Sequence, residues 1–91
     1  MNQGISIIVS GRVQGVGFRY FTKNKAEERG ITGWVRNLSD GRVEVLAYGP
    51  ESDLEQFMQV LKEGPLGSKV SELHSQWLPQ KEDLTKFTIR Y

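Results

Sequence analysis

A chain of 91 residues with 12 Lys and Arg, 11 Asp and Glu, one His and no Cys has room for one domain spanning 1–91 and a net charge of only +1. The missing thiols exclude disulfide stapling, cysteine nucleophiles and thiolate zinc sites, one imidazole excludes a His-rich metal site, and no apolar run approaches a membrane span. Leu, Ile, Val and Phe still supply 25 residues, enough for one compact core, and the charge is uneven, +3 over residues 1–50 and −2 over 51–91.

Residues 5–10 predict a strand, with Ile5, Ile7 and Val9 alternating against Ser6 and Ser10 and Ile8 breaking the pattern. A glycine-rich stretch, GRVQGVGFR, follows at 11–19. A helix is expected over 20–29, with Phe18, Phe21, Thr22 and Ala26 as a thin apolar stripe and Gly30 as its stop. Two strand-like runs, 31–38 and 42–48, flank Ser39-Asp40-Gly41, and Asp-Gly between such runs is a strong hairpin signal.

The second helix is clearer. Ser52 and Glu55 have capping-box spacing, Leu54, Phe57, Met58 and Leu61 fall on one face, and Gly64-Pro65 ends the run. A strand is expected within 69–78, and a last one at 85–91 from the alternation of Phe87, Ile89 and Tyr91. Two βαβ units joined by a hairpin make an α+β, ferredoxin-like split βαβ sandwich (βαββαβ): an antiparallel sheet with two helices on one face.

The loop between the first strand and first helix carries the chemistry. Gly15 and Gly17 open backbone dihedrals closed to other residues, so successive N–H groups can turn inward around an anion. The loop also feeds a helix N-terminus, where free N–H groups and the helix dipole favour negative charge. Arg19 stands at that junction with a permanently charged fork suited to phosphate. Two glycines and an arginine also fit a plain surface turn.

Familiar nucleotide signatures do not fit. There is no Walker pattern, and Tyr20 occupies the place of the third glycine in G-x-G-x-x-G. Val13 to Arg19 spans the same distance as the C-x5-R loop of cysteine phosphatases, with Val13 where the thiol would stand. Water or another residue must then attack. Asn37, at the end of its strand, offers both a donor and an acceptor and can orient a water, or simply bond to the turn. His74 lies far along the chain, in an expected strand, and is assigned no chemistry.

The chain resembles the acylphosphatase family along nearly its whole length. The blocks that carry the resemblance are VSGRVQGVGFRYF at 9–21, GITGWVRNLSDGRVEVLAYG at 30–49 and KFTIRY at 86–91. The resemblance implies a ferredoxin-like fold and hydrolysis of acyl phosphates to a carboxylate and inorganic phosphate. It implies that Arg19 and the backbone of Gln14, Gly15, Val16, Gly17, Phe18 and Arg19 bind the phosphoryl group, and that Asn37 positions the attacking water. No metal or organic cofactor is expected, and inorganic phosphate should act as product inhibitor.

Two other functions fit parts of the pattern. QGVGFRYF matches four positions of an RNA-binding sheet motif, at Gly15, Gly17, Phe18 and Phe21, but between strand and helix instead of on a sheet. A non-catalytic anion-binding domain on the same scaffold is the other. The expected partner is a small acyl phosphate, with no nucleic acid and no membrane. The protein is expected to be a monomer, and the absence of a basic flank before an apolar stretch in MNQG fits a cytoplasmic location.

Overall fold

A computed structural model of the chain describes residues 2–79 and 84–91. The elements run β1 (Asn2–Arg12), α1 (Phe18–Glu28), β2 (Thr32–Asn37), β3 (Val43–Pro50), α2 (Glu51–Glu63), β4 (Lys69–Leu78) and β5 (Phe87–Arg90). The strands form one sheet in the order β4-β1-β3-β2-β5. The expected βαββαβ unit is present, with β5 added at the edge beside β2. Pairings β1–β3, β1–β4 and β2–β3 are antiparallel, as expected, whereas β5 runs parallel to β2. The direction of β5 follows from topology. The chain leaves β4 at the end of the sheet where β2 begins, so it re-enters in the direction of β2.

Strand alternation builds the core. Ile5, Ile7 and Val9 of β1, Val35 of β2, Val43, Val45 and Ala47 of β3 and Phe87 of β5 all lie on one face and are buried. Both helices cover that face. From α2 come Leu54, Phe57 and Leu61, with Met58 partly buried, which is the stripe expected from the sequence. The Phe57 and Phe87 rings meet edge to face at 6.1 Å, a favoured aromatic geometry. From α1 come Phe18, Thr22 and Ala26, and the Thr22 hydroxyl satisfies itself by donating to the Phe18 carbonyl at 2.8 Å.

Helix boundaries differ from the sequence expectation in two places. α1 begins at Phe18, two residues early, because Gly17 accepts the first helical bond from the Phe21 amide at 3.0 Å. The Ser52–Glu55 capping box does not form. Pro50, extended at the end of β3, takes the N-cap position, so Ser52 already lies inside the first turn. Glu51 and Asp53 in that turn complement the helix dipole instead.

The face without helices carries a different set. By register, Ile8, Leu46 and Trp34 point there, beside Glu44 and Arg36, which pair at 2.7 Å. Two guanidinium groups approach the Trp34 ring, Arg36 at 5.2 Å and Arg90 of β5 at 4.6 Å from its centre. Trp77, 41% exposed at the opposite edge on β4, pairs with Ile5 and so belongs by register to the helix-covered face. His74 is also exposed on β4, with Nε2 3.1 Å from the Glu72 carboxylate.

The β2–β3 connection is the hairpin expected from Asp-Gly. The Leu38 amide donates to the Arg42 carbonyl at 2.8 Å and the Gly41 amide to the Leu38 carbonyl at 3.2 Å. Asp40 accepts from the Arg42 amide at 3.1 Å and from Arg42 Nε at 2.8 Å. The bond from the Arg42 amide, helped by the adjacent guanidinium, holds the Asp40 carboxyl below its ordinary range.

Candidate active site

The loop after β1 turns the chain from the sheet into α1 at the same end of the sheet where β2 stops. Two of its residues have left-handed backbone, Gly15 at φ 75° and Gly17 at φ 76°. An L side chain adopts this region at a cost of roughly 1–2 kcal/mol, so glycine is the residue that permits the turn. A Cβ at either position would meet nothing within 4 Å, so the requirement is conformational and not one of space.

The consequence is an open helix end. The first bond of α1 comes from the Phe21 amide, and the amides of Phe18, Arg19 and Tyr20 precede it. These are the N–H groups that a helix leaves without intrahelical partners. No carboxylate side chain from the first turn of α1 competes for this end. An anion is the natural occupant.

A cavity of about 220 Å³ lies against this helix end, lined by Val13, Gly15, Gly17, Phe18, Arg19, Tyr20 and Asn37. Val13 and Phe18 are buried, Arg19 and Asn37 are half-buried, and Tyr20 is 62% exposed. The Arg19 guanidinium forms no ion pair with a described residue and rests on the Tyr91 ring at 4.7 Å. Its charge is therefore available to a ligand. Asn37 enters from the last position of β2, on the helix-covered face, opposite Val43. Its Oδ1 is buried, and no described protein group donates to it.

Of the residues expected to act here, Gly15, Gly17, Phe18, Arg19 and Asn37 come together in one cavity. Gln14 and Val16 are not among its lining residues. Val16 packs against the core, and the Gln14 side-chain amide donates to the Leu38 carbonyl at 2.8 Å and the Arg42 carbonyl at 2.9 Å. Sequence reasoning missed three contributors: Val13, Tyr20 and Tyr91. The terminal alternation pointed to a strand at Tyr91 but carried no signal that its ring would reach Arg19. The RNA-binding motif has no sheet to act from, because Phe18 is buried in α1 and Phe21 packs against the core. Among the described residues, no three His, Cys, Asp or Glu side chains gather where they could hold a metal ion. No helix among them is long and apolar enough to cross a membrane.

Strand order, helix placement and a cavity at one helix N-terminus define a ferredoxin-like α+β protein with an anion-adapted site. The model of the acylphosphatase family matches residues 5–89, and the chain belongs to that family. It is 48% identical over 85 residues to the acylphosphatase of Bacillus subtilis, covering 93% of each chain. A crystal structure of acylphosphatase from Bacillus subtilis superimposes with a TM-score of 0.95 at 46% identity, over the whole of both chains. Full-length HypF in its phosphate- and nucleotide-bound form is similar over all of this chain but 12% of its own, with a TM-score of 0.91 and 35% identity.

Proposed function

We propose how the hydrolysis of acyl phosphates, the activity that family membership gives this chain, is performed by its residues. The phosphoryl group sits in the cradle, accepting hydrogen bonds from the amides at the start of α1 and from the Arg19 guanidinium. Asn37 Oδ1 accepts a hydrogen bond from a water and aims its oxygen at phosphorus. That oxygen forms the new P–O bond as the bond from phosphorus to the acyl oxygen breaks. The carboxylate departs with the electron pair, and the water's proton passes to a phosphoryl oxygen.

The chemistry asks for little more. A carboxylate with a pKa of about 4 leaves without being protonated, so no general acid is needed. A loose phosphoryl-transfer transition state needs positioning and charge stabilisation above all. Arg19 and the helix amides supply the second, Asn37 the first. The same economy limits the substrates. Phosphate monoesters, whose leaving groups are alkoxides, are poor ones.

The observation that carries this reading is the pairing, within one cavity, of a guanidinium without an ion pair and a buried Asn37 oxygen without a donor, both among the described residues. Inorganic phosphate, the product, fits the same cradle and is a competitive inhibitor. The cysteine-free sequence suits the reducing cytoplasm. The test is release of phosphate from benzoyl phosphate, with inhibition by added phosphate. Absence of turnover sinks the reading, and inhibition that is not competitive removes phosphate from the cradle.

A further inference from the structure

The cavity is assembled from two segments that the sheet does not join directly. Its cradle follows β1 and its Asn37 ends β2, yet β3 lies between those two strands. Val43 of β3 pairs with both Val9 and Asn37, so the ladder sets the spacing of the strand ends, but the cradle loop lies beyond Arg12, where no ladder bond holds it. One side chain spans that gap. Gln14, in the cradle loop, donates from Nε2 to the carbonyl of Leu38 at 2.8 Å and to that of Arg42 at 2.9 Å.

These are the two carbonyls that already close the hairpin turn, one accepting from the Gly41 amide and the other from the Leu38 amide. A carbonyl oxygen has two lone pairs, so Gln14 completes each without displacing the turn bond. Leu38 is the residue after Asn37. Its amide, in the peptide that joins it to Asn37, donates to the Arg42 carbonyl, and its own carbonyl accepts from Gln14, so Gln14 holds both carbonyls that fix Leu38 next to Asn37.

We infer that Gln14 is a positioning residue: its side-chain amide clamps the phosphate loop onto the β2–β3 hairpin and so sets where Asn37 stands relative to Arg19. This rests on the mechanism proposed above. It assigns the Gln14 side chain to the alignment of the two halves of the site, and leaves phosphate binding to the loop backbone. Small misplacements are costly in such a site, since about 1 Å can lose 10²-fold in rate.

The experiment is a double-mutant cycle between Gln14→Met and Asn37→Ala, measured with benzoyl phosphate and with phosphate as inhibitor. Met keeps the length of Gln and removes both donors. Gln14→Met should lower kcat by about tenfold while KM and the phosphate inhibition constant stay within about threefold. In the Asn37→Ala background the same change should cost less than about twofold, because the group being positioned is gone. Gln14→Leu should repeat the pattern, and thermal unfolding verifies that each variant is folded. Losses that multiply in the double mutant, or a phosphate inhibition constant that rises as much as kcat falls, overturn the proposal. Wild-type protein without turnover would instead overturn the mechanism on which it rests.

Discussion

Replacing Asn37 by Ala tests the mechanism most sharply, because the structure predicts a large effect on activity and almost none on stability. Asn37 Oδ1 is buried and receives no hydrogen bond from a described protein group. Truncation therefore removes no protein hydrogen bond at that oxygen. It also relieves the desolvation cost of an unpaired buried acceptor, so the loss of stability should stay within about 0.5 kcal/mol. For a domain of this size, about 1 kcal/mol moves the thermal midpoint by about 4–8 °C, so the shift should be no more than a few degrees. Activity should behave otherwise. An oriented polar group that acts on the reacting centre is typically worth about 10²–10³ in rate. The expected result is a kcat lower by two to three orders of magnitude, an almost unchanged midpoint, and a phosphate inhibition constant that holds. The assay is phosphate release from benzoyl phosphate, beside calorimetry on the same preparation. If phosphate affinity fell as far as kcat, Asn37 would be a phosphate ligand. A midpoint that collapsed would make it a structural residue.

Three further outcomes follow from the same geometry. Arg19→Ala should lower kcat/KM by about 10²–10³ and weaken phosphate inhibition with it, since Arg19 has no ion-pair partner among the described residues; near-normal turnover would remove it from the mechanism. Gly17→Ala forces a side chain into φ 76° without a clash, so stability should fall by about 1–2 kcal/mol and phosphate affinity with it, and Gly17→Asn should lose less of each. A fall equal for both variants would refute the conformational argument. Asp40 has its folded pKa lowered, chiefly by the Arg42 amide. Its charge therefore supports the fold above the unfolded value of 3.8, and that support is lost as pH falls through the folded pKa. Asp40→Asn should lower the midpoint slightly at neutral pH and much less at about pH 2; a constant difference would exclude the charge as the cause.

Local patterns were legible wherever one residue's neighbours in sequence are also its neighbours in space. The Leu54, Phe57, Met58 and Leu61 stripe, the Asp-Gly hairpin and the glycine loop are of this kind, and all three appear. Ser52 misled because its capping spacing was right while Pro50, extended at the strand end, already held the cap position. The partner of β5 could not be read from its alternation, since period two fixes faces and not neighbours. Tyr91 on Arg19 and Gln14 on Leu38 and Arg42 are contacts between distant positions. Residue types made each possible, and only the sheet order brought the groups within reach.

The placement of the two tryptophans has a practical consequence. Trp34 faces away from the helices near one edge of the sheet, in contact with Arg36 and Arg90, and Trp77 stands at the other edge on β4. Neither lines the cavity, whose aromatic neighbours are Phe18, Tyr20 and, through Arg19, Tyr91. Indole fluorescence is thus a reporter of the sheet margins and a poor reporter of ligand. With one indole replaced by Phe at a time, the remaining emission follows detachment of β5 in one variant and of β4 in the other. The order in which the two margins fray under denaturant becomes directly visible.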